Sequence, residues 1–144
     1  MPTPSPDDQP EFYDGILTKR LIAWLIDSLI IILLCLLILP FTAFTGIIFF
    51  PVLMIFVGFF YRLATLASRS ATWGMQVVAM ELRDDEDRLF NGTTAFLHTA
   101  GYTISITVAP LQLISVVLMV TNSTRQGLTD MILGTVALNR RRNY

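Results

Sequence analysis

Between Leu21 and Tyr61 this sequence has one charged residue, and between Leu89 and Thr124 it has none. Asp, Glu, Lys and Arg make up 15% of the 144 residues, against 53% for the apolar set, and the net charge is −1. A chain of this length cannot bury so much apolar surface in water, so the uncharged runs predict lipid-facing helices. No basic excess points to a nucleic-acid partner. The single cysteine, Cys35, excludes an internal disulfide and reads as a small apolar filler. The single histidine, His98, leaves no Cys/His metal spacing and no Ser/His/Asp arrangement. It reads as an interfacial residue bonded to backbone. Gly74, Gly92 and Gly101 are isolated, so no phosphate loop is present. These absences argue against an enzyme and against a cofactor.

What is present is ordered. Residues 1–14 are polar, acidic and proline-rich, and read as a mobile tail rather than a cleaved signal. Leu21–Leu39 is close to the ~20 residues a spanning helix needs, and Pro40 ends it. The uncharged PFTAFTG link suits a tight connection. A second helix follows from Ile47, extends past Arg62 to Ala67, and lets Arg62 snorkel to the interface. Phe59, Phe60 and Tyr61 lie where an aromatic belt is expected. Gly58 is a candidate for close helix contact.

Residues 68–92 form a polar excursion. MQVVAMEL is strand-compatible, RDDEDR reads as a solvated turn, and Asn91–Gly92 punctuates. A third apolar stretch, 93–120, carries Thr103, Ser105, Thr107 and Gln112, with Pro110 near its centre. These four polar residues are candidate path or contact residues. The tail has an amphipathic piece near Leu128–Leu133 and a strand-like TVAL, then a basic end at 141–144.

Lys19 and Arg20 before the first helix, and Arg62, Arg69, Arg83 and Arg88 after the second, place the N-terminus and the excursion in the cytoplasm. Arg125 and the 140–142 arginines read as cytoplasmic too, which three full spans would contradict. Either the third stretch re-enters, breaking near Pro110, or it spans and the tail charges lose. Re-entry lets QVVAMEL and TVALNR lie on one side, where they can pair. The fold class is therefore all-α: two transmembrane helices forming a hairpin, a third helical or re-entrant segment, and a small cytoplasmic strand-like element.

Asp27 is the acid inside the first run. A charge at mid-bilayer costs at least about 2.5 kcal/mol on insertion scales, so it faces a partner or water. Arg20 is seven residues earlier, on the same helix face but about 10 Å away along the axis. Asp27 therefore needs another partner: Gln112 or a hydroxyl of the third stretch, Arg62, or the tail. Asp130 can dock against Arg20.

These residues resemble the RDD family of bacterial membrane proteins, named for one arginine and two aspartates. KRLIAWLID supplies Arg20 and Asp27, and RQGLTDMILGTVAL supplies Asp130, Gly134 and Thr135. SATWGMQVVAMEL is similar to the family's Thr-x-Gly segment through Thr72 and Gly74, while Met75 replaces a basic residue and the second glycine falls at Val78 or Ala79. The resemblance covers about 13–140, with residues 15–140 as the membrane domain. It implies a multi-pass protein of the bacterial inner membrane. It suggests transport of unidentified ligands and brings no catalytic residues.

Two functions follow as expectations. One is a structural, accessory or assembly component in which Arg20, Asp27 and Asp130 clamp the first helix to the tail. The other is an oligomeric transporter of a cation or small ligand, proton- or sodium-coupled through Asp27. The expected partners are the lipid bilayer and a second copy or another membrane protein, with no nucleic acid.

Overall fold

A computed structural model describes residues 3–140. The basic end at 141–144 lies outside the described residues. Helix α1, Ile16–Ile38, starts after Gly15, whose φ of +68° suits glycine at a turn into a helix. It is apolar on nearly every face, as a helix surrounded by apolar matter must be. Pro40 ends it in a short 3₁₀ turn, Leu39–Thr42, and a second turn at Thr45–Ile47 leads into α2, Phe50–Arg69. Pro51 sits in the first turn of α2, where its missing N–H has no helical partner to lose.

Ser70 closes α2 in the left-handed region. Its carbonyl accepts the Leu82 N–H at 2.9 Å, and its hydroxyl accepts the Phe90 N–H at 3.0 Å. One residue thus fixes the strand that follows and the approach to the next helix. The short helix α3, Trp73–Val77, comes between, then strand β1, Met80–Arg83. The QVV part of the strand-compatible stretch is therefore helix and turn, because Thr72 caps a helix start before the β-branched valines can pair. In the RDDEDR turn, Asp84 accepts the N–H groups of Glu86 and Arg88 at 2.9 Å each and pairs with the Arg88 side chain.

Helix α4, Gly92–Thr107, and helix α5, Ala109–Thr121, meet at an angle of 114°. The break is at Val108, whose backbone is extended, and Pro110 occupies the first turn of α5. Ser105 donates to Gln112 across the bend at 3.0 Å. Helix α6, Leu128–Leu133, follows, and strand β2, Val136–Asn139, pairs antiparallel with β1, Met80 opposite Asn139.

The described residues are thus mostly helical with one two-stranded sheet. Among the described residues two helices are long and apolar enough to cross a membrane, and α4 with α5 makes a third candidate if the bent pair counts as one span. The core lies at one end, where Ile16, Ala23, Leu66, Met75, Leu82, Phe90 and Ala137 meet beneath the sheet. Away from it, Leu25, Leu29, Leu36 and Leu37 of α1 and Phe56 and Phe60 of α2 are exposed. An exposed apolar surface this long calls for lipid or another protein against it.

The stretch expected as a mobile tail differs from that expectation near its end. Tyr13 is buried and packs with Val136 and Leu138, and Asn139 donates to the carbonyls of Glu11 and Asp14 at 2.8 Å each. A tyrosine and a phenylalanine among the polar residues give that segment something to bury.

Candidate functional site

Asp27 and Asp130 are both buried, at 4% and 1% exposure, and each is surrounded by its own set of donors. Asp27 belongs to α1. Its Oδ1 accepts from the Tyr61 hydroxyl at 2.6 Å and the Gly74 N–H at 2.9 Å, and its Oδ2 accepts from the Thr72 hydroxyl at 2.6 Å. The two hydroxyls also accept. Tyr61 takes the Trp73 N–H and Thr72 takes the Met75 N–H, both at 3.2 Å. Three N–H groups of the first turn of α3 therefore reach Asp27, one directly and two through a hydroxyl. Helix starts leave such groups without intrahelical partners, and a carboxylate suits their partial positive charge.

This corrects the sequence expectation for Asp27. Its partners are neither Arg20, Gln112, Arg62 nor the tail; they are Tyr61 on α2 and the Thr72–Gly74 turn. In the sequence Tyr61 reads as a belt residue. No local pattern distinguishes a belt tyrosine from one facing a neighbouring helix, so the sequence holds no signal for it.

Asp130 sits in the first turn of α6. Its Oδ2 forms an ion pair with Arg20 Nη2 at 2.9 Å and accepts from the Gly127 N–H at 3.1 Å. Its Oδ1 accepts from His98 Nε2 and the Thr135 hydroxyl, both at 2.8 Å. An ionised carboxylate only accepts, so His98 carries its proton on Nε2 in this arrangement. Burial alone would raise the Asp130 carboxyl. The Arg20 guanidinium and the His98 hydrogen bond outweigh it and hold the carboxyl well below the usual range. His98 is thus bonded to a side chain, not to backbone as expected. A histidine six residues into α4 faces inward, and Asp130 gives it an acceptor that lipid would not.

The structure joins Arg20 to Asp130 and leaves Asp27 with separate partners, so the three residues form two centres. The remaining family-motif residues serve these centres. Gly74 lies so close to α1 that a Cβ there would overlap the Ala23 carbonyl oxygen. Gly134 takes a left-handed φ of +74° at the end of α6, which turns Thr135 back onto Asp130.

Among the path candidates, Thr103 and Thr107 donate to carbonyls four residues earlier in α4 and serve the helix itself. Ser105 and Gln112 line a cavity of about 630 Å³ between the two centres. Asp27, Asp130, His98 and both Arg20 and Arg62 also border it. Arg62 does not snorkel outward. It is buried, with its Cζ 3.9 Å from the Tyr102 ring centroid, and Trp24 Nε1 donates to the Tyr102 hydroxyl at 2.9 Å. Tyr102 covers it from α4, and Trp24 of α1 holds the Tyr102 hydroxyl.

Arg20, Asp27 and Asp130 all lie within residues 15–134, the stretch that the RDD family model matches. This chain belongs to the RDD family. Comparison with curated proteins and with solved structures finds no match. In this RDD protein the arginine and the second aspartate form one ion pair, while the first aspartate binds the Thr-x-Gly turn. Among the described residues no group of three His, Cys, Asp or Glu side chains could hold a metal ion.

Proposed function

We propose that this RDD protein is a non-enzymatic accessory or assembly component of the bacterial inner membrane, whose two acid centres hold its helices in one arrangement. The observation that carries this reading is how fully the acids are engaged. Asp27 accepts three hydrogen bonds, and Asp130 accepts three and pairs with Arg20; together these partners tie α1 to α2, α3, α4 and α6. Buried ionic groups can specify an arrangement without adding net stability.

The proposed topology has α1 and α2 crossing as a hairpin, with the N-terminus and the sheet in the cytoplasm. Basic residues flanking α1 and α2 support that orientation. The pairing of β1 with β2 supports re-entry of α4 and α5, because a full third span would separate strands that are hydrogen-bonded. The exposed apolar faces of α1 and α2 suit lipid, and a second copy or another membrane protein.

The cavity favours a second reading, an oligomeric transporter of a cation or small ligand, since Asp27 lies in its lining. Asp27→Asn separates the two. In the accessory reading the variant inserts poorly or loses its folded elution profile. In the transport reading it folds normally, and ion-dependent flux in proteoliposomes disappears. A variant normal in both respects sinks both.

A further inference from the structure

Arg62 is buried at 7% exposure, yet among the described residues it has no counter-ion within 4.0 Å, and its Nε has no acceptor. A ring face is what it meets. Arg20 Nη1, in the same cavity lining, is a second buried donor without an acceptor. The acids nearby do not answer this need. Asp130 already accepts three hydrogen bonds and pairs with Arg20, and Asp27 accepts three hydrogen bonds. A buried guanidinium with unmet N–H groups is costly, so the cavity lacks an acceptor rather than a donor. A cation does not supply one. An oxyanion does, and the planar guanidinium fork matches a phosphate or carboxylate bidentately.

The rest of the cavity indicates what carries the oxyanion. Leu17, Leu21, Val116, Met119 and Val120 make an apolar wall. Leu21 is 58% exposed and Val120 52%, so that wall continues into the outward surface of α1 and α5. A ligand with a charged head and an apolar body fits both parts. We propose that the cavity holds the phosphate of an anionic phospholipid headgroup, with Arg62 as its counter-ion and Arg20 Nη1 as a second donor. The proposal does not rest on the accessory reading, since an accessory protein or a transporter could hold such a lipid.

The test uses the full chain in neutral detergent, equilibrated with equal amounts of phosphatidylglycerol and phosphatidylcholine, with retained lipid read by native mass spectrometry. Both lipids carry the phosphate, but phosphatidylcholine also places a fixed cation beside two guanidiniums, and that repulsion predicts about a tenfold preference for phosphatidylglycerol. Arg62→Gln removes that preference with the thermal midpoint preserved, and Arg62→Lys, which keeps the charge and loses the fork, retains part of it. Excess inorganic phosphate does not displace the lipid. Equal retention of the two lipids overturns the proposal even if neither variant folds. Binding of inorganic phosphate without lipid preference overturns the lipid source and assigns the site to a free oxyanion. Undiminished preference in a folded Arg62→Gln protein overturns the role of Arg62.

Discussion

The Gly74 N–H donates to Asp27 Oδ1 at 2.9 Å, and the approach this needs leaves no room for a side chain at position 74. A Cβ there would lie 2.7 Å from that same oxygen and overlap the Ala23 carbonyl. The Thr-x-Gly segment is therefore a docking surface for α1: threonine caps α3 and reaches one carboxylate oxygen, glycine lets backbone reach the other.

Gly74→Ala is accordingly expected to push α3 off α1. The obstacle is backbone and a fixed carboxylate, so neither can rotate away. Overpacking of this kind costs about 1–3 kcal/mol. Equilibrium unfolding in mixed micelles measures it. Gly92→Ala is the control, since nothing lies within 4 Å of a Cβ built there. Equal stability of the two variants would show that α3 does not dock as described.

Asp27→Asn and Tyr61→Phe are expected to differ in severity. The amide presents N–H groups where the site offers donors, and one of the hydroxyl protons loses its acceptor. A buried polar mismatch costs about 1–3 kcal/mol. Tyr61→Phe leaves Asp27 two donors and strands the Trp73 N–H, for a loss of about 1 kcal/mol. In a double-mutant cycle the two losses fall short of additivity, because the Asp27→Asn protein has already lost much of what Tyr61 contributes. Strict additivity would mean the hydroxyl acts elsewhere.

Much of this architecture could be read from residue order. The two long uncharged runs, Pro40 after the first helix and the interruption near Pro110 are local signals, and helices report themselves locally. QVV is helix and turn although its valines favour strand, because a single capping hydroxyl, Thr72, outcompetes β propensity. The partners of the acids were not legible. Tyr61, Gly74 and His98 lie 34, 47 and 32 residues from the carboxylates they meet, and nothing in their neighbourhoods marks them. Arg62 shows the same limit: a lone arginine past an apolar run reads as an interface anchor until a helix 40 residues later covers it with Tyr102.

Asp130 makes stability depend on pH in a defined direction. Its folded carboxyl titrates below the ordinary range, so its contribution is complete above the unfolded value of about 3.9 and is lost as pH falls below it. The thermal midpoint in detergent should therefore drop on acidification from about pH 5 to pH 3, and drop less in Asp130→Asn, which has no proton to gain. Parallel curves for the two proteins would place the acid sensitivity in other carboxylates.

Thr45 lies in the exposed link between α1 and α2, and Glu86 in the exposed turn after β1. Cys35 is fully buried and can be replaced by alanine to give a silent background at a cost typical of a small cavity. Single cysteines at 45 and 86 should then label from opposite faces of sealed spheroplasts, 45 from outside and 86 only after permeabilisation. A third cysteine at exposed Ser123, between α5 and α6, decides how the bent pair sits. If α4 and α5 re-enter, position 123 behaves like 86, because β2 must return within 13 residues to hydrogen-bond with β1. External labelling at 123 would require those residues to cross the bilayer as an α6 of six residues and its flanks, far short of the ~20 a helical span needs.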